Sequence, residues 1–458
     1  MTDIARQLTA LNLAALDAGA DALDRLEFIG EGNLPSAFAV TDVAAAAVAT
    51  AALSIAALIG QRAGAAPRVT VDRRLASMWF HSSIRPLGWR LPALWDPIAG
   101  DYRTSDGWIR LHTNAPHHRA AAESVLGARA TKEAMALAVA GWQSLALETA
   151  VVEAGGCAAQ MRSHDEWRRH PQGQAVASDP LVRMAATQHG PVPRWHVPTT
   201  RPLTGVRVLD LTRVLAGPVA SRFLAGYGAD VLRIDPPGWD EPGVVPEVAL
   251  GKRCARLDLR RPDDRAVFTR LLSEADVVLH GYRPGALDAL GFGADRRRQL
   301  APGLVDVCLS AYGWSGPWAA RRGFDSLVQM STGIADAGMR WRHADTPVPL
   351  PVQALDHATG YLMAAAAVYG LVRRVATGVG SESHLSLART AKWLIDHAAV
   401  PQTSSLAPET AGDVSPWLEQ TDWGKAHRLA APMAIEGAMV SWDYPARRLG
   451  TCPATWTS

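Results

Sequence analysis

Two aspartates in this chain stand at the start of long apolar runs, and a fixed spacing relates them. Asp356 lies in Pro349-Leu-Pro-Val-Gln-Ala-Leu-Asp-His-Ala-Thr-Gly360, directly before an Ala-rich stretch. Asp42 opens the run Asp42-Val-Ala-Ala-Ala-Ala-Val-Ala-Thr50. The offset of 314 positions between them also pairs Pro35 with Pro349, Gly64 with Gly378, Val71 with Leu385 and Trp79 with Trp393, without gaps. One segment therefore occurs twice. Each copy places a lone carboxylate at the mouth of an apolar helix. Such a carboxylate either caps the free amides of the first turn or does chemistry there.

Stepping outward along the chain, residues 1–26 read as an amphipathic helix, with Leu8, Leu11, Leu13, Leu16, Leu23 and Leu26 at helical spacing. Gly30-Glu-Gly-Asn33 breaks it. The Asp42 helix follows, then a turn at Gly64-Ala-Ala-Pro67 and a short strand at Val69-Thr-Val71. Tyr102 to His112 reads as a hairpin joined through Asp106-Gly107, and helical segments fill residues 117–170. Residues 188–202 carry four prolines and read as a linker between two halves. Beyond it, strands are expected at 206–211, 229–234, 277–279 and 304–309, with helices at 218–227 and 264–274. Strands alternating with helices predict an α/β fold with a doubly wound parallel sheet, accompanied by a second, smaller α+β domain. The expected division is residues 1–187, the linker, residues 203–400 and an extension over 401–458 that packs back on the fold.

Composition narrows the function. The chain has 458 residues, enough for two or three domains, with hydrophobic and charged content of an ordinary globular protein. A formal net charge of +2 gives no reason to expect a nucleic-acid partner. Cys157, Cys254, Cys308 and Cys452 are scattered, with no CxxC and no histidine at metal spacing. Reduced structural thiols in a cytoplasmic protein are expected. The N-terminus shows no basic region leading into an apolar core, so no signal peptide is expected. Val43 to Gly60 barely reaches spanning length, is mostly Ala and carries Thr50 and Ser54, so it reads as a buried helix and not a membrane span.

The first strand of the second half runs into Thr212-Arg-Val-Leu-Ala-Gly-Pro218, with one glycine and then a proline. There is no GxGxxG cradle for a dinucleotide, and no GxxxxGK[ST], GxSxG or HExxH. An NAD-dependent dehydrogenase is not expected.

A set of loops instead resembles the family III CoA-transferases, the CaiB/BaiF group. The stretches are Pro202-Leu-Thr-Gly-Val-Arg-Val-Leu-Asp-Leu-Thr-Arg-Val-Leu-Ala-Gly-Pro218, Gly228-Ala-Asp-Val-Leu-Arg-Ile-Asp-Pro-Pro-Gly238, Gly251-Lys-Arg-Cys-Ala-Arg-Leu-Asp-Leu259, Glu274-Ala-Asp-Val-Val-Leu-His-Gly-Tyr-Arg-Pro-Gly285 and Tyr312-Gly-Trp-Ser-Gly-Pro317. They cover residues 202 to about 390 in family order. Asp101-Tyr-Arg-Thr-Ser-Asp-Gly-Trp-Ile109 and Glu153-Ala-Gly-Gly-Cys-Ala-Ala-Gln160 also look like this family, but like segments that normally follow the catalytic Asp helix. The chain reads as a fused or permuted member, with one complete site and one remnant.

The resemblance implies a Rossmann-like CoA-binding domain and a transfer of CoA between an acyl-CoA and a carboxylic acid. Its catalytic carboxylate falls on Asp356, which would form an anhydride and then an aspartyl-CoA thioester. Gly-containing loops at Tyr312–Gly316 or Gly378–Gly380 are candidate oxyanion donors. CoA contacts carry over onto Val214, Leu215, Ala216, Pro236, Leu257, Arg260, Gly281, Tyr282, Arg283, Tyr312 and Gly313. Arg260 and Arg283 suit phosphate, and Tyr282 suits adenine. The family often has Asn at Gly281, Asn-Arg at Ala249-Leu250, and Gln in some members at Leu215. No permanently bound cofactor is implied, coenzyme A being substrate. Interlocked homodimers in the family, together with duplicated apolar helices offering surface to bury, imply a homodimer.

Two other readings stand beside transfer. Racemases of this fold carry Gly-His-Asp where this chain has Gly323-Phe324-Asp325, so an acyl-CoA racemase or isomerase would lack one acid/base group. A degenerate, non-catalytic CoA-binding subunit is the third. His112, His117 and His118 form a cluster with no completing metal ligand, expected to be satisfied or exposed. No metal is expected.

Overall fold

The computed structural model describes residues 4–193, 195–397 and 404–457. Its main sheet has seven strands. From one edge these are Lys252–Arg256, Asp230–Asp235, Arg207–Leu211, Val277–His280, Val305–Ser310, Val379–Ser386 and Arg183–His189. The first six pair in parallel; Arg183–His189 pairs antiparallel to Val379–Ser386. The central strands are buried on both faces, mostly through Val and Leu, with Asp210, His280, Asp306 and Cys308 buried among them.

The duplicated segment folds the same way twice. Val40–Ala63 and Ala354–Thr377 are both 24-residue helices, displaced by the same 314 positions at each end. Each stops at a glycine in the left-handed region, Gly64 (φ 79°) and Gly378 (φ 74°), which ends a helix without a Cβ clash. A strand and a short helix follow in both copies, and equivalent side chains, Asp72 and Ser386, cap those helices. The two long helices pack against each other in the middle of the molecule. Val40–Ala63 is long and apolar enough to cross a membrane, and here it is buried among other elements of the same chain. The apolar surface behind the homodimer expectation is thus covered within one chain.

The copies differ where their neighbours differ. Gly360 backs onto the helix Ala216–Gly226; a Cβ there would meet the carbonyl oxygen of Ala216 and lie 2.9 Å from the Cβ of Val219. The equivalent residue in the first copy is Ala46.

A smaller α+β unit comes from the first half. Its antiparallel strands are Gly100–Arg103, Trp108–Leu111 and Ala158–Gln160, covered by helices Pro116–Leu126, Lys132–Val139 and Ser144–Glu153. It docks onto the second half through a joint apolar cluster of Cys157, Ala159, Leu327 and Met330. Buried Glu148 bridges the interface, 3.0 Å from Arg162 and 2.6 Å from Arg321.

Several expectations need correction. The first helix spans only Ile4–Ala15, residues 1–3 lying outside the described residues. Asp17 takes a positive φ of 54°, residues 20–25 form a 3-10 turn, and Leu26–Ile29 pairs with Val69–Asp72, so a strand replaces the last expected turn. Residues 117–170 are not wholly helical, because Ala158–Gln160 adds to the hairpin. The boundary drawn at 187/188 falls inside the strand Arg183–His189. The boundary at 400/401 lies outside the described residues. Further on, Gly424–Arg428 and Met433–Ile435 pair with the first-half strands Ile84–Pro86 and Val69–Asp72.

Gly360→Ala should lower stability by about 2 kcal/mol, because backbone blocks the added methyl. Thermal unfolding monitored by circular dichroism checks this. Ala46→Gly, at the duplicate position, should cost only the helix propensity of about 1 kcal/mol.

Candidate active site

A cleft of about 460 Å3 opens at the carboxyl ends of Arg207–Leu211, Val277–His280 and Val305–Ser310, where the strand order reverses. Loops there sit at the natural ligand position of an open parallel sheet. Asp356 lines this cleft.

Its neighbour Asp325 settles what Asp356 is free to do. Asp325 accepts the amides of Leu355 (2.9 Å) and Asp356 (3.0 Å), and the side-chain amide of Gln329. Asp325 is therefore the side chain that caps the Ala354–Thr377 helix. Gln353, at the formal cap position, makes no capping bond. Among the described residues, the Asp356 carboxylate has no hydrogen-bond or ion-pair partner. It is 6% exposed. Burial, and then the Asp325 carboxylate, raise its pKa well above the ordinary range; burial also raises that of Asp325. The helix N-terminus works the other way, favouring an anion. The outcome is a carboxyl group that is poorly solvated, unpartnered and on the wall of a cleft, the kind of perturbed group that clusters at functional sites.

The duplicate is different. Asp42 is 5% exposed and its carboxylate lies 2.7 Å from the Arg73 guanidinium. It faces no part of the cleft. This is a buried structural ion pair.

The wall of the cleft carries strain and charge. Val214 has φ 64°, in a region that β-branched residues avoid. Its amide donates to Glu241 (2.8 Å), which fixes the turn. The next helix, Ala216–Gly226, receives no side-chain cap from Leu215, and Leu215 and Ala216 form part of the wall. Arg213 lies between two rings, 4.5 Å from Trp239 and 5.5 Å from Tyr282. Arg283 and Arg322 line the same cleft, and their mutual repulsion, with burial the larger effect, lowers the Arg283 pKa. Among the described residues none of the three arginines is in an ion pair. Three unpaired guanidiniums around one cleft are a site for anionic groups.

Of the predicted contacts, the cleft brings together Asp356, Val214, Leu215, Ala216, Gly281, Tyr282 and Arg283. Five others lie outside its wall. Arg260 is paired with Asp258 and its side chain is 78% exposed. Pro236 accepts a bond from Arg256, and Leu257 is in the core. Tyr312 is buried against Ser331, and the Gly313 amide donates to the Ser310 hydroxyl. Gly378 ends the helix about 33 Å along its axis from Asp356, and Gly380 lies in the strand that follows, so neither can serve as an oxyanion donor there.

Sequence reasoning missed Arg213, Arg322, Trp239 and His118. The first three lie in or beside quoted motifs, where a basic or aromatic residue was a usable signal. His118 comes from the first half, where it stood out only as a member of the histidine cluster. It is neither satisfied nor exposed, as the histidine cluster was expected to be. It is 3% exposed, both ring nitrogens lack partners, and it faces the cleft. Phe324, in the racemase histidine's place, stacks on His112 at 3.8 Å.

Two groups of side chains have metal-like spacing: His280, Asp306 and Cys308, and Cys308, Glu382 and His384. Arg297 already lies against Asp306 and His280, and Arg298 against Glu382. Guanidinium supplies the cation in both, and no metal is assigned.

Residues 203–422 match the model of CoA-transferase family III. That segment belongs to family III of the CoA-transferases. Proteins named as CoA-transferases match the chain as well. The chain is 35% identical over 193 residues to the probable fatty acyl-CoA transferase Rv3272 of Mycobacterium tuberculosis, covering 39% of this chain and 48% of that protein. It is 28% identical over 253 residues to the human succinyl-CoA:glutarate CoA-transferase, covering 52% and 55%. The crystal structure of Rv3272 matches 43% of this chain and 59% of that one, at 32% identity and a TM-score of 0.40. The chain spans about half the length of the curated relatives it matches.

The Asp356 carboxyl should titrate above the usual carboxylate range in 13C NMR of aspartate-labelled protein. Asp325→Asn keeps an acceptor for the helix amides and removes the facing charge, so the Asp356 midpoint should fall.

Proposed function

We propose that the cleft binds an acyl-CoA and that Asp356 carries CoA from it to a second carboxylic acid. One observation carries this reading: the Asp356 carboxylate is released from capping by Asp325 and left without a partner inside the cleft. The family match and the transferase relatives support it. The strand order, with its reversal beneath the cleft, supports a doubly wound, Rossmann-like sheet as the CoA-binding part.

In the proposed sequence, an Asp356 oxygen attacks the thioester carbonyl carbon. The carbon–sulfur bond breaks, and CoA leaves as a thiolate. The product is an acyl–aspartyl anhydride. The thiolate then attacks the Asp356 carbonyl, expels the donor acid as a carboxylate and leaves an aspartyl-CoA thioester. The acceptor carboxylate attacks that thioester, giving a second anhydride and the thiolate again. Attack of the thiolate on the acceptor carbonyl yields the new acyl-CoA and restores Asp356. An activated acyl bond exists at every stage, so no external energy source is needed. Arg213, Arg283 and Arg322 would hold the phosphates, with Tyr282 and Trp239 offering ring faces to adenine.

Three outcomes are expected. Incubation with acetyl-, succinyl- or palmitoyl-CoA should add a covalent CoA-containing mass to the protein; Asp356→Ala should abolish the adduct, and Asp42→Ala should retain it. An adduct that persists in Asp356→Ala overturns the assignment. Adduct formation should fall as pH drops through the raised Asp356 pKa, because only the ionised carboxylate attacks, and Asp325→Asn should move that acid limb to lower pH. Arg283→Ala should weaken CoA binding by about 10-fold or more, while Arg260→Ala leaves it unchanged by calorimetry.

A further inference from the structure

His118 is a buried imidazole with nothing to bond to. It sits on the helix Pro116–Leu126 of the small unit, is 3% exposed, and neither ring nitrogen has a partner. Leaving a buried polar group unsatisfied is destabilising, and buried polar groups are normally paired. The side chain lines the same cleft as Asp356. A short chain of contacts joins the two: the His118 ring meets Phe324 edge-on, with centroids 5.7 Å apart, and the next residue, Asp325, binds the Asp356 amide. The reaction needs donors for the oxygen that gains charge when Asp356 attacks. Gly378–Gly380 is remote, and the Gly313 amide is committed to Ser310.

We propose that His118 donates a hydrogen bond to the acyl carbonyl oxygen of the bound thioester, stabilising the oxyanion formed by attack of Asp356. The inference rests on the reading of Asp356 as the nucleophile. The bond is made by a neutral ring: burial, then His117 and Arg322, push the His118 pKa down to about 3. His118 therefore holds an N–H donor without titrating near neutrality, and acts as a donor instead of a general acid. Its origin in the first half means that this half completes a site built on the second.

The test uses the full chain and whichever of acetyl-, succinyl- or palmitoyl-CoA labels wild type fastest. Adduct formation is followed by quenched-flow mass spectrometry at saturating donor. His118→Phe, which preserves bulk beside Phe324, should slow the rate about 100-fold. Free CoA should bind within about twofold of wild type, since CoA without its acyl group lacks the carbonyl. His118→Gln, with an N–H restored, should recover at least part of the rate, and the acid limb should stay in place in both variants. If His118→Phe does not fold, His118→Met supplies the donor-free comparison. Four results would overturn the proposal: a donor-free variant within about threefold of wild type, a glutamine variant no faster than the donor-free one, an equal loss of CoA binding, or an acid limb that vanishes with the histidine. A wild-type protein that forms no adduct removes the Asp356 reading and this one together. Normal labelling in the donor-free variant removes only this one.

Discussion

Two backbone amides at the start of one helix, held by the carboxylate of Asp325, decide the character of the site. A helix end leaves its first amides without partners, and a nearby acidic side chain usually takes them. Here that role falls to a residue thirty positions upstream of the helix. Asp356, which could have capped its own helix, is freed to face the cleft. The same arrangement brings two buried carboxylates close together, and the one with fewer donors is pushed towards protonation.

The duplication shows the alternative fate of the same helix. In the first copy, Asp42 meets the half-buried Arg73 and becomes part of the packing. In the second, a tight contact at Gly360 seats the helix against the helix Ala216–Gly226, whose first residue lines the cleft. The two copies pack together at the centre of the molecule, so the helix that carries Asp356 rests on its own duplicate. The first half also contributes its small unit, held over the cleft by Glu148 and Arg321. One chain thereby assembles a site from both halves.

Much of this was legible from residue pattern. The 314-residue offset predicted two equivalent helices, and both have the same length and the same glycine stop. The alternating strands of the second half and the reach of the first-strand loop followed from hydrophobic runs and from Thr212–Pro218. Other features depended on distance in space. No local signal tells that Asp325 will cap a helix beginning at residue 354, or that His118 will line the same cleft as Asp356. Arg260 illustrates the opposite error: its motif position suggested phosphate, yet Asp258, two residues away, holds it at the surface. The expected first helix failed because a leucine pattern continues through Asp17, where the backbone turns and a strand begins.

The most direct measurement is to trap the activated carboxyl. Protein incubated with acyl-CoA is treated with hydroxylamine, which converts an aspartyl thioester or anhydride to a hydroxamate, and the digested peptides are sequenced by mass spectrometry. The account predicts a hydroxamate at Asp356 and none at Asp42 or Asp325. A hydroxamate at either of those positions with Asp356 unmodified would contradict it.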